Sequence, residues 1–593
     1  MSIFASVLSA QSFQDTVKRF PLSCLYAVLM FFVAVSENHN WDIFPQEEPF
    51  AAFFAGGFFI FGLFVLLSES LDWSLGRQYA LSFLIVVAFG TLVFTSDQYE
   101  RHILFIFPAL LLLIMSAPFV FRESGNTAFW HFNAVMWVNV VISMIAAIIL
   151  GGGASAAVAA IDFLFGVDVD HDVYADIWAF ACILFAPFYV FSQLPRDFNA
   201  SVAIPAYEII LKFIANWLLA PLVVIYMVIL YAYFLKIVFE WNLPQGQLAS
   251  ITTGFGGAGV AVYLISWPFR ETGSWLVRAV HKYFFPALIV PVLMMAVSII
   301  VRLNEYGLTE ERYMIALTAL WFAVVIILFL MRQKALKLIP LILGCAMIVA
   351  SFGPWGAVSL SGYSQFQRLQ ALLIQNNLLQ NGKIVPLEGE ISFADEKGIN
   401  SILRYFDRRK ELDRIKKAFP LKEGVWGDYN VDMIKQMNLE YISEYVTEKH
   451  QAENQGYISY DGMFYKPRGY DIGGYRYFYD IKNLRDKVHV PDQDGETLLH
   501  AGPPLELKMK DGKLHIKVDE EWGLELDVAA YIQQQDFTER NMDKNRRLHE
   551  IEGTNDGVQA KLILQHMYGK QEEGQRPDIN EISFYLLLNM RKE

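Results

Sequence analysis

About eleven separate apolar runs fill the first 361 residues, and none occurs in the remaining 232. Runs such as Ala51–Leu67, Ile103–Phe121 and Phe284–Val301 hold 17 to 19 residues without a charge, enough for a helix rising 1.5 Å per residue to cross a hydrocarbon core of roughly 30 Å. The pattern predicts an α-helical polytopic membrane bundle of about eleven transmembrane helices with a C-terminal α+β soluble domain. The expected division is a transmembrane helical domain over 1–361, an interfacial amphipathic helix and linker over 362–385, and an extracytoplasmic α+β domain over 386–593, β-rich after 456.

The mean hydropathy of +0.32 averages two unlike parts. Residues 1–361 hold 16 Lys+Arg against 22 Asp+Glu, which leaves 32 against 39 in the tail. Both parts are acidic, so neither offers the basic surface that nucleic acid requires, and no nucleic-acid partner is expected. The three cysteines, Cys24, Cys182 and Cys345, all fall inside apolar runs. They build no disulfide framework and no thiolate metal site, and no cofactor is expected. A cleavable leader is a rival reading of the first run, because Lys18-Arg19 precede Pro21–Val35 and Ala34-Val35-Ser36 is cleavage-like. The long stretch before that run and the ten spans after it favour a retained helix.

The proposed spans are roughly 21–36, 51–68, 79–96, 103–121, 131–150, 177–192, 213–235, 249–267, 284–301, 314–331 and 338–360. A cytoplasmic N-terminus puts Lys18, Arg19, Arg77, Arg122, Arg196, Lys212, Arg270, Arg278, Lys282, Arg332, Lys334 and Lys337 inside, and only Arg101, Lys236, Arg302 and Arg312 outside. That bias of 12 to 4 over short loops is a positive-inside signal. It predicts a bacterial inner (cytoplasmic) membrane protein with its C-terminal domain in the periplasm. Gly151–Val167 would overturn the count if it crossed. Its three glycines, its Asp and the acidic loop that follows predict a surface-lying or re-entrant piece instead.

After the last span, Gln365–Leu379 has apolar residues at helical spacing and is expected to lie along the membrane surface or to pack on the tail domain. Glu396–Ala418 reads as helix, ended by Pro420. Strands are expected at Tyr457–Tyr465, Tyr475–Asp480, Val558–Met567 and Ile582–Asn589. Leu505–Val518 reads as a hairpin turning at Asp511-Gly512.

Several strings occur in order: Leu194-Pro195-Arg196-Asp197-Phe198, Tyr231-Ala232-Tyr233 with Lys236-Ile237, and Trp267-Pro268-Phe269-Arg270-Glu271. Glu305-Tyr306-Gly307-Leu308-Thr309-Glu310 with Arg312-Tyr313 follows, then Ala350-Ser351-Phe352-Gly353-Pro354-Trp355-Gly356 and Asn381-Gly382-Lys383-Ile384. Together they resemble the bacterial polytopic membrane proteins grouped as the domain-of-unknown-function family 4153. The likeness covers about 130–384 and, more loosely, the tail through Tyr470-Asp471-Ile472-Gly473-Gly474-Tyr475. It implies the membrane architecture and carries over no catalytic residue.

Three constellations carry candidate chemistry. Asp168, Asp170, His171 and Asp172 alternate hard donors with an imidazole, but an EF-hand needs a Gly and a Glu where Val173 and Ala179 stand; a looser divalent-cation site competes with a solvated acidic loop. Asp162, Glu208 and Lys212 are ionisable near membrane depth, where charge is costly and often marks an ion pathway; against this, Glu208 and Lys212 stand four apart, the spacing of a salt bridge. Prolines such as Pro187, Pro221, Pro286 and Pro291 interrupt spans as in transporters, although no inverted repeat accompanies them. Gly254-Phe-Gly256-Gly257-Ala-Gly259 looks like a nucleotide loop but lies within a span, where close helix packing explains it better. The loop Asn304–Tyr313 gathers Arg302, Glu305, Tyr306, Glu310, Glu311 and Arg312, a polar set able to hold a head group or sugar; the competing reading is a turn at Gly307 and a cap at Thr309.

The expected function is binding or sensing of an envelope component through the external domain, without catalysis. A secondary transporter of a small solute or ion, and a lipid-linked glycosyl or phosphoryl transferase, are the alternatives. The lipid bilayer is the expected partner, with an envelope lipid, glycan or protein as a further one.

Overall fold

The computed structural model of the chain describes residues 10–593 apart from 42, 123–124, 168, 199–204, 241–246, 332–334, 381, 420–432, 435, 440–441, 443–456, 462–474, 485–486, 491–504, 519–520, 536–548, 556–557, 571–575 and 591–593. Its contacts divide it into two compact units, Met1–Val385 with Ser401–Asn430, and Pro386–Asn400 with Val431–Glu593.

The first unit is a helical bundle. Among the described residues, 10 helices are long and apolar enough to cross a membrane. The expected eleventh span differs: its helix covers only Leu338–Ser351, 14 residues, and Gly353 at φ +76° with Pro354 and Gly356 breaks the chain before a new helix, Ala357–Gln375. This short helix nevertheless lies along the whole of helix Tyr99–Ser116. His102 Nδ1 donates to Ser351 O at 2.6 Å at one end, and Ser116 Oγ donates to Lys337 O at 3.3 Å at the other. Gly344 between them sits against Leu113 and the Ala109 carbonyl.

Gly151–Val167 shows no re-entrant break up to residue 165. That stretch is the last part of one continuous helix, Asn126–Phe165, of 40 residues, about 60 Å long. Away from water a backbone amide has no acceptor better than its own i−4 carbonyl, so three glycines do not melt the helix. Gly151 also seats Trp178, whose ring leaves only 3.1 Å for a Cβ. The helix ends at Gly166, φ +61°, whose N–H donates to Asp162 O at 2.8 Å. At two prolines the helix widens instead of breaking: π turns at Phe180–Phe185 and Ala215–Leu219 lie just before Pro187 and Pro221, whereas Pro108, Pro286 and Pro291 sit within continuous α-helix.

The bundle core is aromatic. Phe20, Phe119, Phe132, Phe285 and Phe322 are fully buried. Phe119 meets Phe129 and Phe132 edge-on at centroid distances of 5.6 and 5.7 Å, the geometry that ring quadrupoles favour. Glycines admit these rings: Gly256 faces Phe322 and Gly259 faces Phe284, closer than any Cβ would allow. The glycine-rich string is therefore a helix-packing stripe within Gln247–Ser266. Helix Ala357–Gln375 turns a buried face, including Val358, Gln365, Leu369 and Leu373, onto helices Glu310–Leu330 and Leu338–Ser351. It continues into the small hairpin of β1 (Leu379–Gln380) and β2 (Lys383–Ile384).

The second unit holds two antiparallel sheets over one core. In the first, β3 (Tyr457–Asp461) and β9 (Glu550–Asn555) both pair with β10 (Val558–Lys570), which pairs with β11 (Asp578–Met590), which pairs with β4 (Tyr477–Leu484). The second runs β5 (Lys487–Val490), β6 (Leu505–Lys510), β7 (Lys513–Val518), β8 (Glu521–Asp527). The expected hairpin is β6–β7, with Asp511 and Gly512 at φ 51° and 74°, the paired positive φ of a type I′ turn. Alternation on both strands buries Leu505, Leu507, Leu514 and Ile516 against Leu562, Phe584 and Leu586 of the other sheet.

Gly259→Leu must drive its side chain into Phe284, and overpacking of this kind costs about 1–3 kcal/mol. A clear drop in melting temperature of the detergent-purified protein is expected, whereas Gly257→Ala, with open space at its Cβ, leaves it unchanged or slightly raised.

Candidate functional site

Ionisable side chains converge on the turn between helices Trp275–Tyr306 and Glu310–Leu330. Gly307 closes the first helix at φ +69°, ψ 179°, and a Cβ there would lie 3.0 Å from Gln365 Nε2, so both backbone and space demand glycine. The turn is held from the side by helix Ala357–Gln375. Gln365 Nε2 donates to Tyr306 O at 3.0 Å and to Leu308 O at 2.9 Å, and Ser364 Oγ accepts from the Leu308 N–H at 3.0 Å. Arg312 Nη1 donates to Tyr306 O at 3.0 Å and Gly307 O at 2.7 Å. Thr309 occupies the N-cap position, but its side chain makes no cap bond.

Two flanks of opposite character meet there. On one, Glu310 is ion-paired to Arg409, whose side chain is only 2% exposed, and accepts from Tyr405 Oη at 3.1 Å. Arg409 also donates to Glu411 at 2.8 Å and to Val358 O at 3.1 Å, while its own carbonyl accepts from Gln98. Arg101 stands 3.8 Å from Glu310. Burial alone would weaken the Arg409 charge, yet Glu411, Tyr405 and Glu310 hold its pKa above the ordinary value. Burial, then Glu310, pushes the Tyr405 phenol up. A carboxylate so engaged is a structural clamp.

The other flank is gathered around an aromatic ring. The Tyr306 ring has the Arg312 guanidinium 5.5 Å from its centroid and that of Arg368 at 5.6 Å, within cation–π range. Arg302 and Arg368 both act on Arg312 by like-charge repulsion, with Glu311 opposing. Arg302 and Arg312 form no ion pair among the described residues, and Arg302 Nε is buried without a hydrogen-bond partner. Glu305 and Glu311 are exposed.

The other sequence candidates do not gather. Asp162 lies in the last turn of Asn126–Phe165, and Glu208 and Lys212 are exposed on helix Pro205–Ile214. Glu208 and Lys212 form no ion pair with each other, in keeping with how little an exposed pair gains. Asp168 is outside the described residues. Asp170 precedes helix His171–Ala179 without capping it, and His171 lies 6.0 Å from the Tyr174 ring. Among the described residues no three His, Cys, Asp or Glu side chains are placed to hold a metal ion. Instead Asp176, with Asp172 behind it, engages His39, which the sequence did not single out. His39 Nε2 is 2.7 Å from Asp176 Oδ2, Asn38 Nδ2 donates to Asp176 Oδ1 at 3.0 Å, and Asp172 Oδ2 is 3.8 Å from His39 Nδ1. Trp41 stacks on the imidazole at 5.3 Å.

Removing the Glu310 charge leaves a buried guanidinium with Glu411 alone, at a cost of roughly 1–3 kcal/mol. Glu310→Gln is expected to lower the melting temperature well beyond what Thr309→Ala does, since the threonine makes no cap bond. Equal effects of the two would refute the clamp.

The hydrogen bond to Asp176 raises the His39 pKa, reinforced by the charges of Asp176, Asp172 and Asp170. A raised folded-state pKa gives stability that is fully present below the unfolded value of about 6.5 and lost as pH rises through the folded value. The melting temperature of wild type should therefore fall more between mildly acidic and mildly alkaline pH than that of His39→Gln; parallel curves would exclude this contact as the source.

The family model described as Domain of unknown function (DUF4153) matches residues 24–381 of this chain. An uncharacterised protein of Pasteurella multocida (strain Pm70) is 25% identical over 380 residues, covering 58% of this chain and 62% of the relative. The chain thus spans less than two thirds of the length of the curated relative it matches. No solved structure matches. The matched segment takes in the whole turn Tyr306–Glu310 and the helix that braces it, and the chain belongs to the Domain of unknown function (DUF4153) family.

Proposed function

We propose that the chain is a multi-pass protein of the bacterial inner membrane, with its N-terminus in the cytoplasm and its C-terminal unit in the periplasm, that binds a component of the cell envelope at the bundle end around Tyr306. One observation carries the binding reading: Arg312 and Arg368 flank a partly exposed Tyr306, with Arg302 acting on Arg312, on a backbone turn already fixed by Gln365 and Ser364. A ligand meeting such a site finds its donors in place and loses little to ordering them. Transport finds less support, because Asp162, Glu208 and Lys212 do not converge. Transferase chemistry finds less support, because the half-buried carboxylate of the turn, Glu310, is already engaged by Arg409 and Tyr405, which leaves only the exposed Glu305 and Glu311 to act. The orientation rests on the positive-inside bias. It is consistent with the bundle end at which Arg19, Arg122 and Lys337 bind backbone carbonyls, opposite to the end bearing Glu310.

Alkaline phosphatase fused after Glu593 should be active and green fluorescent protein at the same place dark; the reverse pattern overturns the orientation. In cells lacking the protein, wild type should restore resistance to detergent and large antibiotics. Arg302→Gln combined with Tyr306→Leu, expressed to the same level, should not; full restoration by that variant refutes binding at this end.

A further inference from the structure

We infer that the arginine flank is a phosphate site and that its ligand is the phosphate of an anionic lipid headgroup, an inference that rests on the binding reading above and names its ligand class. The guanidinium groups of Arg312 and Arg368 face the Tyr306 ring, and Arg312 stands within reach of the like charges of both Arg302 and Arg368. Such crowding is stable where an anion completes it, and a phosphate accepts the forked donors of arginine in pairs. The neighbouring arginine shows the contrast: Arg409 is closed by Glu310 and Glu411, whereas Arg302 and Arg312 have no carboxylate paired to them among the described residues and Arg302 Nε is buried without an acceptor. Arg302 and Tyr306 stand four apart on one helix, so the unpaired donor and the ring share a face.

The position selects a headgroup. Arg312 lies in the first turn of Glu310–Leu330, a 21-residue helix about as long as the hydrocarbon is thick. Trp355 at 58%, Tyr363 at 55% and Tyr306 at 40% exposure ring the same end, and Tyr313 Oη donates to Trp355 O at 3.0 Å to fix that loop. Exposed tryptophan and tyrosine mark the level of lipid headgroups. At Arg312 the opposing carboxylate is Glu311, which is exposed and should weaken anion binding rather than assist it.

The full chain, purified in a neutral detergent, is titrated with short-chain phosphatidylglycerol, with phosphatidylcholine and with inorganic phosphate, and thermal stabilisation is read at each concentration. Phosphatidylglycerol should stabilise wild type and phosphatidylcholine should not. Arg302→Gln should weaken the phosphatidylglycerol affinity about tenfold, the size of one charge-assisted bond, and Glu311→Gln should tighten it. Displacement by millimolar inorganic phosphate would retain phosphate recognition and assign the free anion as its source; failure to displace assigns the headgroup. Equal stabilisation by both lipids, or unchanged affinity in Arg302→Gln, overturns the site. Should Arg302→Gln not fold, Glu311→Gln decides, since unchanged or weaker binding there also overturns it. A variant that loses phosphatidylglycerol yet restores envelope resistance refutes the envelope-binding reading and leaves the site standing. One that keeps phosphatidylglycerol but fails to restore resistance refutes the phosphate assignment and leaves the reading.

Discussion

A carbonyl at the end of a membrane helix has lost its i+4 partner and has little water to turn to, and the rest of this bundle depends on how those carbonyls are satisfied. At one end the answer is cationic side chains. Arg122 donates to Ser70 O and Glu69 O at 3.0 and 3.1 Å, Lys337 to Phe119 O and Arg122 O at 2.6 and 2.8 Å, and Arg19 to Leu194 O and Pro195 O at 2.6 and 2.9 Å. Each cation ties helix ends far apart in sequence, so the residues that set the charge bias also lock the helices in place. Arg19 completes the pattern through Glu69, 2.7 Å away. Trp73 and Trp267 carry Arg77 and Arg270 over their rings at 4.4 and 4.0 Å, an arrangement suited to the headgroup boundary.

With the ends fixed, the interior is free to be almost entirely apolar. Lipid tails are as apolar as leucine, so helix association rests on close packing and not on burial from water. The bundle achieves this by setting rings into glycine notches, Phe89 at Gly56, Phe322 at Gly256 and Phe284 at Gly259. Many of its interior hydroxyls and amides turn back to their own helix, as Ser266 does to Val262 O and Asn139 to Val135 O. The second unit is built on the opposite rule. Its sheets alternate buried and solvated residues, which is the signature of a fold driven by water.

This difference explains what the sequence made legible. Long apolar runs state their own length, so ten helices and the hairpin at Asp511-Gly512 could be placed from residues alone. The same logic misread two breaks. Gly151–Gly153 looked like an interruption because glycine melts helices in water, but the amides of Asn126–Phe165 keep their helical partners. Phe352–Gly356 looked continuous because one apolar stretch ran through it. The candidate turn was legible as a polar constellation, with Gly307 correctly marking its bend. Its partners were not, since Gln365, Arg368, Tyr405 and Arg409 come from 50 to 100 residues further on. Only the i, i+4 spacing of Tyr405 and Arg409 hinted at a shared face. His39 gave no sign, because a lone histidine after a span acquires meaning only from the aspartates that fold against it.

The turn at Tyr306 also shows how one bundle end can hold two kinds of charge. A buried ion pair contributes little net stability, because desolvation offsets the attraction; what the Glu310–Arg409 pair supplies is geometry. It fixes the segment around Tyr405 on the first turn of Glu310–Leu330 with carbonyl and phenol partners that admit few alternatives. The cluster around Tyr306 stands beside it. Arg312 is anchored through one terminal nitrogen to the carbonyls of residues 306 and 307, so its charge is held near Tyr306 although Arg302 and Arg368 repel it. Glu310 is held by Arg409 and Tyr405, so it is not the carboxylate that answers Arg302 and Arg312, which form no ion pair among the described residues; the structural role of Glu310 and the proposed binding at Arg302 and Arg312 therefore rest on two separate sets of contacts at one turn.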